Sequence, residues 1–103
     1  MNRLQQLLEF LKEDPDDPFT LYAIATEYLQ SDLEQARRYF EILLHDHPEY
    51  IPTYYHAAKL YESIDERDMA ITTYEKGIKL AGEQKENLAL RELQNAYQEL
   101  LFD

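Results

Sequence analysis

The chain contains no cysteine and no tryptophan, and only two glycines and four prolines in 103 residues. Without cysteine there is no disulfide framework, no thiol nucleophile and no thiolate metal site. So little glycine and proline leaves few of the turns that an all-β chain needs. Cations are scarce too: 10 Lys and Arg stand against 21 Asp and Glu, a formal net charge of -11. Nucleic-acid binding works by neutralising phosphate, and this field repels phosphate and anionic membrane surfaces alike, so neither is an expected partner. The same acidity keeps a chain soluble, and so does not by itself indicate a basic partner. Long apolar runs are absent. Arg3, Gln5, Gln6, Glu9 and Lys12 interrupt the leucines of the first twelve residues, which excludes a signal-peptide core. Nothing approaches the roughly 18 apolar residues of a membrane span. A soluble cytoplasmic protein is the expectation.

What the chain has in quantity is helix-forming residues. Leu, Glu, Gln, Ala, Lys and Arg dominate, the types that lose least rotamer freedom in a helix. Apolar residues make up 45% and charged ones 30%, a globular balance in a chain of single-domain length. An all-α fold follows.

The sequence also repeats itself. Tyr28 and Tyr61 are 33 residues apart, as are Leu21 and Tyr54, and Pro15 and Pro48. Ala36 and Ala70 are 34 apart, as are Phe40 and Tyr74, and Pro48 and Gly82. Six landmarks agreeing within one residue define a period, and a period of this length marks a stacked helical repeat.

The pattern within each period resembles the tetratricopeptide repeat, whose first helix reads aromatic-x2-Leu-small-x2-Tyr and whose second reads Ala-x3-aromatic, closed by Pro. Here Leu21-x2-Ile24-Ala25-x2-Tyr28 is followed by Ala36-x3-Phe40 and Pro48, then Tyr54-x2-Ala57-Ala58-x2-Tyr61 by Ala70-x3-Tyr74. The resemblance implies a right-handed α-solenoid of antiparallel helix pairs, about six helices in a single domain. It divides as 1–17, an N-terminal half-repeat helix; 18–51, repeat 1; 52–84, repeat 2; and 85–103, a C-terminal capping helix. Repeat 1 is one residue short at Gln30-Ser31-Asp32, Leu21 and Tyr54 stand where Trp is favoured, and Gly82 replaces the closing proline as a helix stop. In the last helix Leu90-x2-Leu93-Gln94-x2-Tyr97 puts Gln94 at the small position, as suits a helix with a wettable outer face.

Helices are expected at about 2–13, 18–30, 33–46, 52–63, 66–81 and 86–101. Asp17-Pro18 supplies an N-cap and a first-turn proline, Asp32-x2-Gln35 resembles a capping box, and Asp65 stands where the helix over 66–81 should begin. Ala25, Ala58, Ala36 and Ala70 are expected where helix axes approach, with Tyr28, Phe40, Tyr61 and Tyr74 filling the space between.

Residues that could run a reaction are few. His45-Asp46-His47 places two histidines at i and i+2, on different helix faces, whereas a helical metal pair needs i and i+4. A histidine near a last turn is explained by the helix dipole. Asp14, Asp16 and Asp17 crowd a turn without the Gly and closing Glu of a calcium loop. There is no Gly-rich phosphate cradle, no Gly-x-Ser-x-Gly and no His-Glu-x2-His. No catalysis, metal or cofactor is expected.

Binding is the remaining use. In the family that the chain resembles, the first helix of each pair lines a concave groove holding an unidentified peptide or protein segment. Helical offsets from the core put Phe19, Tyr22 and Thr26 on that face in repeat 1, Tyr55, Lys59 and Glu62 in repeat 2, and Arg91 and Asn95 in the last helix. The best-known grooves of the family clamp a terminal carboxylate with Lys and Asn. Tyr22 and Thr26 hold those places here, so that clamp is not implied. The expected peptide-binding set is Phe19, Tyr22, Thr26, Tyr55, Lys59, Arg91 and Asn95, with Lys59 and Arg91 meeting acceptor oxygens, unless Lys59 pairs instead with Glu62. The rival use is self-association, a homodimer through the stripe of Leu4, Leu7, Leu8 and Leu11 on the first helix.

Overall fold

A computed structural model describes residues 1–102. Among these residues six helices follow one another: α1 (Arg3–Glu13), α2 (Pro18–Tyr28), α3 (Leu33–Asp46), α4 (Pro52–Ser63), α5 (Arg67–Glu83) and α6 (Asn87–Leu101). No strand occurs among the described residues. They form two compact units that divide between Tyr50 and Ile51. Among the described residues no helix is long and apolar enough to cross a membrane.

In the first unit α2 packs on both α1 and α3. Leu21, Ile24 and Ala25 of α2 and Ala36, Phe40 and Leu43 of α3 are buried, so the small and large members of the motif are core residues. Tyr28 is half-buried and stacks on Tyr39 with centroids 5.9 Å apart. The N-termini are capped by acceptors: Asp17 takes Thr20 N–H at 3.1 Å and Asp32 takes Gln35 N–H at 3.2 Å. Asp32 accepts from Gln35 without the reciprocal side-chain bond, so the full capping box lies elsewhere, between Asn2 and Gln5 at the start of α1. Leu7 is buried, and Leu4, Leu8 and Leu11 pack partly against Ala23 and Ile24. The inner side of the leucine stripe is thus already covered by α2.

In the second unit α4 and α5 pack as a pair, and α6 touches both. Tyr54, Ala57, Ala58 and Tyr61 of α4 and Ala70 and Tyr74 of α5 are buried, with Leu93 and Ala96 of α6. The close approach of α5 to α4 is made by a residue that the repeat pattern does not contain. A Cβ on Gly77 would lie 2.6 Å from Tyr54 Cβ and 3.2 Å from Leu93 Cδ1. Ala58 and Ala70, fully buried, complete the small-residue contribution.

The helix ends correct two expectations. Gly82 does not stop α5, which runs on to Glu83. The turn is made by Lys85, with φ 58°, closed by bonds from Lys85 N–H to Gly82 O (3.2 Å) and Glu86 N–H to Ala81 O (2.9 Å). Ala81 is buried, so packing holds the helix beyond the glycine. Asp65 likewise is not an N-cap. It sits at φ 61° after α4, with Glu66 N–H bonded to Tyr61 O at 2.8 Å and Asp65 N–H to Glu62 O at 3.3 Å. Both turns are Schellman closures made without the usual glycine. Lys85→Gly is expected to raise stability by about 0.5–1 kcal/mol, since only glycine enters this region without a Cβ penalty. Thermal unfolding checks it, and an unchanged or lowered midpoint contradicts the account of the turn.

Candidate peptide-binding surface

Within the second unit, helical spacing puts Tyr55 and Lys59 one turn apart on α4. Lys59 Nζ lies 6.0 Å from the centroid of the Tyr55 ring, at the outer limit of a cation–π contact. It also lies 3.9 Å from Glu62 Oε2. That separation is at the long end for an ion pair, and an exposed i,i+3 pair of this kind contributes little. Glu62 has a stronger engagement, accepting a bond of 2.5 Å from the Tyr74 hydroxyl. The ammonium of Lys59 is therefore exposed and only loosely held.

On α6, Arg91 and Asn95 are both exposed and one turn apart, and no ion pair joins Arg91 to an acid among the described residues. Beside this pair stands a residue that the repeat motif does not single out. His56, beside Tyr55, is half-buried and feels the charge of Glu92, the neighbour of Arg91. Burial pushes its pKa below the usual histidine value, against the opposing pull of Glu92. Its place in the period could have identified it, because 33 residues earlier stands Ala23, which is buried.

In the first unit the predicted residues behave differently. Phe19 is 64% exposed at the second position of α2. Tyr22 is half-buried and meets Tyr50 edge-on, with centroids 5.9 Å apart and planes at 65°. Burial raises the pKa of both phenols, Tyr50 adding to the shift of Tyr22 and Asp17 to that of Tyr50. Asp17 itself is held below the ordinary carboxylate value, chiefly by the Thr20 hydroxyl bonded to it at 2.6 Å. Thr26 spends its hydroxyl on Ala23 O at 3.0 Å, inside its own helix. That leaves it a methyl and an accepting oxygen, but no donor. Phe19 and Tyr22 supply aromatic surface in this unit, and Lys59 and Arg91 supply charge in the other.

The histidines at the end of α3 separate. His45 is exposed and bonded to Asp46 at 2.7 Å, while the side chain of His47, 12% exposed, reaches Asp16 Oδ1 at 3.0 Å and ties the α1–α2 connector to the end of α3. No cluster of three or more His, Cys, Asp or Glu that could hold a metal ion is present among the described residues.

Comparison with solved structures decides the family. A tetratricopeptide repeat domain protein from Salinibacter ruber, solved as a crystal structure, is 45% identical over 82% of this chain and 96% of its own, with a TM-score of 0.79. The solution NMR structure of a tetratricopeptide repeat domain protein from the same organism gives 46% identity, 84% and 89% coverage, and a TM-score of 0.80. The chain is a tetratricopeptide repeat protein. MamA, 23% identical over 95% of this chain and 64% of its own, shares the fold with a TM-score of 0.69. A scan with family models and a search of the curated proteins gave no match. Tetratricopeptide repeats are helical modules generally used for protein–protein interaction and generally non-catalytic.

Proposed function

We propose that this tetratricopeptide repeat protein is an adaptor that holds an extended segment of another protein, in a cytoplasmic setting and without catalysis, cofactor or metal. The observation that carries the reading is the placement of Lys59 and Arg91. Both are exposed, on two helices that pack against each other, in a chain with a formal net charge of -11. Cations set against the general charge balance create a local field that favours acceptor oxygens, a carboxylate above all. Tyr55 gives apolar contact beside them and Asn95 can both donate to and accept from a peptide bond. In the first unit Phe19, Tyr22 and the Thr26 methyl offer apolar surface to the same kind of segment. Nucleic acid and membrane stay outside the proposal because this charge balance opposes both.

The test is a peptide library with free carboxyl termini, selected against the full chain. Affinity of the selected peptides is then measured for the Lys59→Ala, Arg91→Ala double variant. Charge-assisted bonds contribute about 1.5–3 kcal/mol each, so a loss of at least tenfold is expected. Both side chains are exposed, and an unchanged melting temperature will show that the fold is intact. Undiminished affinity in the double variant removes the polar half of the proposed site.

A further inference from the structure

A separate surface, which does not rest on the α4–α6 reading, lies along α1. There an apolar groove of about 510 Å³ is lined by Gln5, Leu8, Glu9, Leu11, Lys12 and Pro15. Leu8 and Leu11 are half-buried, with one side on the core around Leu7 and Ile24 and the other in the groove. From Gln5 to Lys12 the helix rises about 10 Å at 1.5 Å per residue, room for two turns of a partner helix.

Charge gives the groove a direction. Pro15, at one end, is flanked by Asp14 and Asp16, both exposed, and Glu13 ends the helix just before them. This is the C-terminal end of α1, where the helix dipole is already negative and where stability favours cations. The two cations of α1 do not neutralise it. Lys12 is engaged by Glu9 at 3.0 Å and Arg3 by Glu27 at 2.9 Å. Of these acids Asp16 is held by His47 at 3.0 Å, and an apolar floor that runs into such an acidic end selects its occupant by charge as well as by shape.

We infer that this groove receives a short amphipathic helix of a partner protein, with two or three apolar side chains spaced i, i+3/i+4, i+7 on its inner stripe and Lys or Arg where it passes Asp14 and Asp16. A second copy of this chain matches less well. It carries the same net charge of -11, and its own α1 has only Arg3 and Lys12 as cations, both already paired.

The experiment uses the full chain and two labelled synthetic helical peptides. Both carry Leu at i, i+3 and i+7, one with Lys on the flanks and its twin with Glu at the same places. Fluorescence anisotropy is expected to show the Lys peptide binding at least tenfold more tightly than its twin. Leu8→Glu is expected to weaken it by tenfold or more. Because Leu8 also touches the core, Asp14→Lys is the second variant: its side chain is exposed, and it is expected to cut the preference for the Lys peptide severalfold. The Lys59→Ala, Arg91→Ala double variant is expected to bind the Lys peptide as the parent does. Equal binding of the two peptides, a preference untouched by Asp14→Lys, or a loss in the double variant overturns the inference. So does a chain dimer in sedimentation that Leu8→Glu dissolves, which would make the occupant a second copy.

Discussion

Gly77→Ala is expected to destabilise the second unit, although it replaces glycine by the best helix former in the middle of a 17-residue helix. On propensity alone the change would gain up to about 1 kcal/mol. Space decides the other way. The added methyl would lie 2.6 Å from Tyr54 Cβ and 3.0 Å from Tyr54 Cγ. A Cβ is fixed to the backbone and cannot swing aside, so α4 and α5 must separate or Tyr54 must leave its rotamer. Overpacking of this kind costs about 1–3 kcal/mol. A net loss of about 1–2 kcal/mol is expected, a fall in melting temperature on the order of 4–16 °C for a chain of this size. The control is Gly82→Ala in the same helix. A Cβ there meets nothing within 4 Å, and that variant is expected to be neutral or up to about 0.5 kcal/mol more stable. If the two substitutions shift the midpoint alike, the close crossing at Gly77 is wrong.

The repeat explains why glycine stands there. The equivalents of Tyr54 and Gly77 one period earlier are Leu21 and Leu43, both buried. Repeat 2 has a larger side chain on α4 and none on α5, so volume is exchanged between matched positions. The double variant Tyr54→Leu, Gly77→Ala moves back toward the first arrangement and is expected to recover part of the loss, an interaction that a double-mutant cycle measures directly.

That exchange shows which parts of the molecule were legible in the sequence. Positions fixed by one helix pair repeating another, such as Ala25, Ala58, Ala36, Ala70, Phe40 and Tyr74, could be placed because spacing alone determines which face they occupy. Gly77 could not, because its reason is the particular neighbour Tyr54, and a lone glycine in a helical pattern reads only as a weak point. The turns were misplaced for a related reason. Gly82 looks like a helix stop, yet the left-handed positions fall to Asp65, a residue type that tolerates that region, and to Lys85, which no residue preference would choose. At the proposed surface, helical offsets put Tyr55 and Lys59 one turn apart on α4, but they carry no information about what a side chain is already bonded to. Thr26 is satisfied by Ala23 O, and His56 lies half-buried beside Tyr55 and near Glu92. The tie from His47 to Asp16 spans 31 residues and has no local signal at all.

Alkaline pH is expected to unfold the second unit through Tyr74. Its ring is fully buried and its hydroxyl donates to Glu62 Oε2 at 2.5 Å. Burial pushes the phenol far above its ordinary value near 10, and the bond to a carboxylate, with the negative charge of Glu62 beside it, pushes it further. In the unfolded chain the same tyrosine ionises at about pH 10. Below that pH it is neutral in both states, and the contribution of the hydrogen bond is fully present. Above it the unfolded state gives up a proton that the folded state retains, so stability falls progressively with further rise in pH. Urea midpoints measured from pH 7 to pH 11 are expected to hold steady and then drop beyond about pH 10. Tyrosinate absorbance from Tyr74 is expected to appear only as helical circular dichroism is lost. Tyr74→Phe separates this residue from the other tyrosines whose pKa is raised, Tyr22, Tyr50 and Tyr97. At neutral pH the variant is expected to be less stable by about 1–3 kcal/mol, because Glu62 keeps only the loose contact with Lys59 after losing its charged hydrogen bond. At high pH the gap between variant and parent is expected to narrow, since the variant has no phenol to ionise at that position. A gap that stays constant through pH 11 would mean that Tyr74 ionises in the folded state as it does in water, and the buried bond to Glu62 would not exist in solution.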